Sequence, residues 1–202
     1  MENDNRPVYL DNNATTPHDA EVVEAMMPYL TTEFGNPSSS HVYGTAPRKA
    51  IERAREQVAA LIGASTDKIV FTSGGTESNN YAILGTARAR SDAGRHVITS
   101  AVEHPAVIET CAALETEGFE VTRLPVNRYG LVDSERLKAA IRYDTILVTV
   151  MLANNEIGTI EPIAEIAEIA HEYGAWAHTD AAQAVGKIPV SVAGLGVETL
   201  PV

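Results

Sequence analysis

Apolar residues recur along this chain in two alternating rhythms. Between 19 and 30, Val22, Val23, Met26, Met27 and Leu30 fall three and four apart, the spacing that lines one face of a helix. The stretch 46–62 is rich in helix formers and runs into Gly63, a residue type that favours helix ends. Residues 68–72 form a short β-rich run and predict a strand. Ser73-Gly74-Gly75 follows, and then a helical stretch to Arg90.

The alternation continues downstream. Strands are predicted over His96–Ser100, Glu120–Leu124, 145–152 and 175–179. Helices are predicted at 106–117, 134–141 and 163–173. Strand and helix alternating at this spacing predict an α/β domain around a mainly parallel, buried sheet. No repeat, low-complexity linker or second-domain boundary interrupts it.

Ligands of open α/β sheets bind beyond the carboxyl ends of the strands. Four polar clusters fall at such ends: Ser73 to Thr76, Glu103-His104, Asn154-Asn155-Glu156, and Asp180 to Gln183. The first reads strand, glycine turn, helix start. Glycines there let the backbone approach an anion, and the helix N-terminus supplies free N–H groups. An ordinary helix cap is the competing reading. No lysine follows these glycines, and no G-x-G-x-x-G fingerprint occurs, so a nucleotide loop is disfavoured.

Asp180 reads equally as a helix cap or as a buried carboxylate that needs a cationic partner such as a protonated pyridine nitrogen. His104 precedes Pro105 and suits proton transfer or stacking on a flat ring, against a purely structural role. Asn154, Asn155 and Gln183 are neutral hydrogen bonders near strand ends. His178 and Asp180 share one strand face, but two ligands make no metal site, and none is expected. Cys111 sits in an apolar helix stripe with Val107 and Leu114 and reads as packing.

Composition narrows the function classes. The chain has 202 residues, 45% of them hydrophobic and 21% charged, which excludes global disorder. A net charge of −12 disfavours nucleic acid. The basic cluster Arg48, Lys49, Arg53 and Arg55 is interleaved with Glu52 and Glu56, as on a solvated helix face. One cysteine allows no internal disulfide, the N-terminus is polar, and no run approaches the ~20 apolar residues of a membrane span. A soluble, cytoplasmic protein without membrane contact is expected.

Several ordered segments go further together than singly. They are Val8 to Pro17, Gly35 to His41, Phe71 to Asn80, Glu103 to Val107, Asn154 to Thr159 and His178 to Lys187. On these the chain resembles the cysteine desulfurases of the class-V aminotransferase family, in particular the iron–sulfur-assembly group. The resemblance implies the large domain of a fold-type-I, pyridoxal-phosphate (PLP)-dependent transferase, incomplete at its C-terminus. Residues 1–202 would span the N-terminal segment and most of that domain, without the small domain.

The resemblance also implies roles. Gly75 and Thr76 would hold the phosphate, His104 would stack on the ring and assist proton transfer, and Asp180 would pair with the pyridine nitrogen. Asn155 and Gln183 would contact the phenolic oxygen side. A homodimer would take sulfur from L-cysteine as an enzyme persulfide, leave alanine, and pass the sulfur to an acceptor or iron–sulfur scaffold protein, or to tRNA thiolation.

The resemblance implies a strand at 196–200, but the Ser-x-His-Lys segment that follows it in the family and the later sulfur-accepting cysteine are not within these residues, and Lys187 matches a non-catalytic position. The chain alone is therefore expected to be inactive and, with a sheet edge exposed, prone to aggregate. A non-catalytic remnant or dimerisation module is one alternative. Another class-V enzyme, such as a selenocysteine lyase or an aminotransferase, is the other, disfavoured by the Asn154 to Thr159 and Gly35 to His41 segments.

Overall fold

The structure, a computed structural model, describes residues 7–202. It divides into two compact units, one ending at Glu56 and one running from Gln57 to Val202. No linker composition marks the division, because a helix, α2 (Val42–Ile62), runs through it.

In the first unit, α1 (Ala20–Thr31) starts at Asp19, whose carboxylate accepts the Glu21 amide at 2.9 Å. It buries none of its residues, so the apolar stripe of Val22, Val23, Met26, Met27 and Leu30 has no cover of its own. The Asn36–Ser39 turn is held by Arg48, which donates to the Pro37 and Ser39 carbonyls at 2.9 Å each. Helix α2 begins a turn earlier than expected and carries Pro47 inside it. Gly44 is dictated by close approach: a Cβ there would lie 2.3 Å from the Ser39 carbonyl oxygen.

The second unit is a layered α/β domain. After a short 3-10 turn at Thr66–Lys68 come α3 (Gly75–Ala89), β1 (His96–Ser100), α4 (Pro105–Thr116), β2 (Glu120–Leu124) and α5 (Ser134–Ala140). Then follow β3 (Thr145–Thr149), α6 (Ile163–Glu172), β4 (Trp176–His178) and α7 (Val192–Leu195). The four strands pair in parallel in the order β2-β1-β3-β4. Ile98, Val148 and Ala177 face α6 through Ile163, Ile166 and Ala170, whereas Val97 and Leu147 join α3 and α4 through Ile83, Val107, Cys111 and Leu114. That two-sided burial is why β3 is apolar or threonine throughout and β1 is so between His96 and Ser100.

Two strand expectations change. Residues 68–72 form no strand, and Val70 and Phe71 are 61% and 48% exposed. Their β-rich composition marks a fit to a pleated surface, and that fit is realised only beside a pairing neighbour. The run at 196–200 is not a full strand either. It touches β4 through a parallel bridge from His178 to Thr199 and through Glu198 N–H to the Ala177 carbonyl. β3 and β4 are shorter than predicted, although beyond their ends the Val150 and Leu152 amides still donate to the His178 and Asp180 carbonyls.

Candidate active site

Parallel strands deliver their C-terminal loops to one edge of the sheet. From β1 the connection leads outward to β2, and from β3 it leads the other way to β4, so the strand order reverses between β1 and β3. A crevice opens at such a switch point. A cavity of ≈ 190 Å³ lies at these strand ends, lined by Gly75, Thr76, Asn79, His104, Met151, Ala153, Asn155, Asp180, Ala182 and Gln183. All six residues singled out from the sequence, Gly75, Thr76, His104, Asn155, Asp180 and Gln183, line it.

Gly75 and Thr76 open α3. Gly74 at its cap supplies no side-chain acceptor, so the first amides of the helix remain available to a ligand. A Cβ built at Gly75 meets nothing within 4 Å, so the glycine keeps cavity space open. Glu77, one turn in, accepts the Ser73 hydroxyl at 2.6 Å and the Ser73 amide at 2.5 Å. These bonds hold its carboxyl below the usual carboxylate range and fasten the turn.

Asp180 follows β4 and is 6% exposed. One oxygen accepts the Ala182 amide at 3.0 Å and the other accepts the Asn79 side-chain amide at 2.8 Å. The bond to Ala182 caps the turn at 182–187, where the helix that a cap would start does not form. A carboxylate has about four acceptor sites, so two bonds leave capacity that opens onto the cavity. Asn79 also donates to the Gly75 carbonyl at 2.9 Å and so ties the glycine turn to Asp180.

His104 caps α4: its Nδ1 accepts the Ala106 amide at 3.1 Å. The neutral ring then carries its proton on Nε2. Asn155 donates to Glu156 Oε1 at 2.8 Å, and Gln183 Oε1 accepts from Lys187 at 2.5 Å. Lys187 does not itself line the cavity, and its ammonium is engaged by Gln183, which does.

Burial shifts two groups of the domain interior. His178 Nδ1 meets the Thr149 hydroxyl at 2.7 Å, and full burial pushes its pKa down to about 3. Cys111 is fully buried, and its thiol is pushed up to about 12 by burial and then by the neighbouring Glu103. Among the described residues no group of three or more His, Cys, Asp or Glu is placed to hold a metal ion. No helix among them is long and apolar enough to cross a membrane. Sequence reasoning assigned no role to Asn79, Met151 or Glu103. For Asn79 a signal existed, since it lies one helical turn beyond Gly75 on the same face.

The fold and this crevice define an α/β protein with a ligand site at the switch point of its sheet. Residues 8–201 match the class-V aminotransferase family, and the chain belongs to it. It is 60% identical over 197 residues to the cysteine desulfurase IscS of Dictyoglomus turgidum, covering 98% of this chain and 50% of that protein. It is 52% identical over 198 residues to the human cysteine desulfurase, covering 98% and 43%. Two solved structures superpose closely. A NifS-like protein does so with TM-score 0.92 and 40% identity, over 96% of this chain and 54% of its own. SspA in complex with cysteine gives 0.91 and 40%, over 96% and 56%. The chain spans about half the length of the curated relatives it matches.

Proposed function

We infer that this chain forms the cofactor-holding part of a PLP-dependent cysteine desulfurase. The observation that carries the reading is Asp180, a buried carboxylate with acceptor capacity left over, in one cavity with the open helix N-terminus at Gly75 and Thr76. Those two features suit the two ends of one small molecule, a cationic ring nitrogen and a phosphate. When bound, PLP supplies an electron sink for a substrate carbanion.

The chain's own residues have separable tasks. The α3 amides with Thr76 would hold the phosphate, and Asp180, steadied by Asn79, would keep the ring nitrogen protonated. His104, fixed through Nδ1 and lining the cavity, would serve as stacking partner and proton carrier. Asn155 and Gln183 would donate to the phenolic oxygen side. In the overall reaction the carbon–sulfur bond of L-cysteine breaks, an acceptor thiol becomes a persulfide, and alanine is left. Cys111 is not that acceptor, because a buried thiol with a pKa near 12 is neither reachable nor ionised. The uncovered apolar stripe of α1 supports a homodimer.

The test uses the complete gene product. Visible absorbance should report bound PLP, and cysteine should yield alanine with equal sulfide under a thiol reductant. Asp180→Ala should weaken PLP binding by about 2–5 kcal/mol, the cost of removing one partner of a buried charge pair. Unchanged PLP affinity in that variant would end the proposal, and alanine without sulfide would reassign the substrate.

A further inference from the structure

The crevice at the switch point has two walls, the loop after β1 that carries His104 and the loop after β3 that carries Met151 and Asn155. One side chain bridges them. Glu103, 5% exposed, uses Oε1 to accept the Ser100 hydroxyl at 2.5 Å on its own side and the Met151 amide at 3.0 Å on the other. Asn154 makes the return tie, donating to the Val102 carbonyl at 2.8 Å. Among the described residues Glu103 Oε2 is buried without a hydrogen-bond partner.

We propose that Glu103 is a positioning residue, which locks the His104 loop to the Met151–Asn155 loop and so sets the spacing between the walls of the cofactor site. Its consequence for the cofactor rests on the functional reading above. Its geometry does not.

Glu103 does this as a neutral acid. A buried oxygen with no partner cannot carry charge cheaply, and burial raises the pKa to about 8. The charges and titratable groups around it agree. Asp180 after β4 and Glu161 after β3 repel an ionised Glu103, Cys111 on α4 stays protonated, His178 on β4 stays neutral, and His104 adjoins it. Ionisation above pH ~8 puts an unpaired charge between the walls, a burial cost that opposes the acceptor bonds it strengthens. The chemistry of the tie needs only an acceptor at Oε1, which glutamine retains.

The experiment compares wild type, Glu103→Gln and Glu103→Ala in the complete gene product at pH 7. Amide exchange is read by mass spectrometry over residues 101–106 and 150–157 without added cofactor, and PLP affinity is read by visible absorbance. Loss of both hydrogen bonds to Oε1 should speed exchange in both segments and weaken PLP binding about tenfold in Glu103→Ala. Glu103→Gln should restore both to within about threefold of wild type, and should remove any loosening above pH ~8. If Glu103→Ala does not fold, Glu103→Asp, one methylene short of Met151, takes its place with the same expectation. Wild-type exchange in the truncated variant overturns the proposal, and so does failure of glutamine to rescue. Faster exchange in Glu103→Ala, rescued by Glu103→Gln, in a protein whose wild type binds no PLP upholds the tie and refutes the cofactor reading alone.

Discussion

The buried Glu103 makes a sharp prediction about stability against pH. Its ordinary value of 4.5 is raised to about 8 in the fold. As pH rises through 4.5, the unfolded chain releases this proton while the folded chain keeps it. The folded state then binds more protons, and stability falls with rising pH until the folded group ionises near 8, above which the loss levels off. At about 1.4 kcal/mol per pH unit the full window would cost up to about 5 kcal/mol. His178 titrates with the opposite sign. Its pKa falls from 6.5 to about 3, so it adds a rise in stability that is complete near pH 6.5. The window from 6.5 to 8 therefore isolates the carboxyl, and about 2 kcal/mol should be lost there. Glu161, also raised by burial, slopes the same way and cancels on comparison with Glu103→Gln. Urea unfolding midpoints at several pH values, for wild type and variant, give the difference directly. Parallel curves across that window would refute a neutral, buried Glu103.

Other expectations follow from single contacts. Asn79→Ala removes the 2.8 Å bond to Asp180 and the 2.9 Å bond to Gly75, and should weaken PLP binding by about 1.5–3 kcal/mol in an absorbance titration, with far-ultraviolet dichroism unchanged. Leu114→Ala, at a fully buried site among Ile83, Val107 and Cys111, should cost about 2–5 kcal/mol in urea unfolding while PLP affinity holds where the protein stays folded. Gly44→Ala places a Cβ 2.3 Å from backbone, which must shift, so the thermal midpoint should fall and Arg48 should lose its grip on the Asn36–Ser39 turn.

Much of this architecture is local and was legible along the chain. Helices α1, α4 and α6 and strands β1 and β2 follow from periodicity within a few residues, because the face of an element is dictated by neighbours three, four or two positions away. The six candidate residues that line the crevice are named on another ground. Glycine turns and polar groups at strand ends are ordinary caps and loops when taken singly, and it is the ordered segments together that resemble a family. What no spacing encodes is the order of strands. Only the arrangement β2-β1-β3-β4 opens the crevice between β1 and β3, and it brings Asn79 onto Asp180 from a separation of 101 residues. The run at 68–72 shows the converse: β composition without an adjacent strand stays irregular, since a ladder needs a neighbour. Protonation belongs to the fold as well. Glutamate, histidine and cysteine at positions 103, 178 and 111 carry ordinary pKa values in an extended chain, and only burial, by removing water, makes each keep its uncharged form.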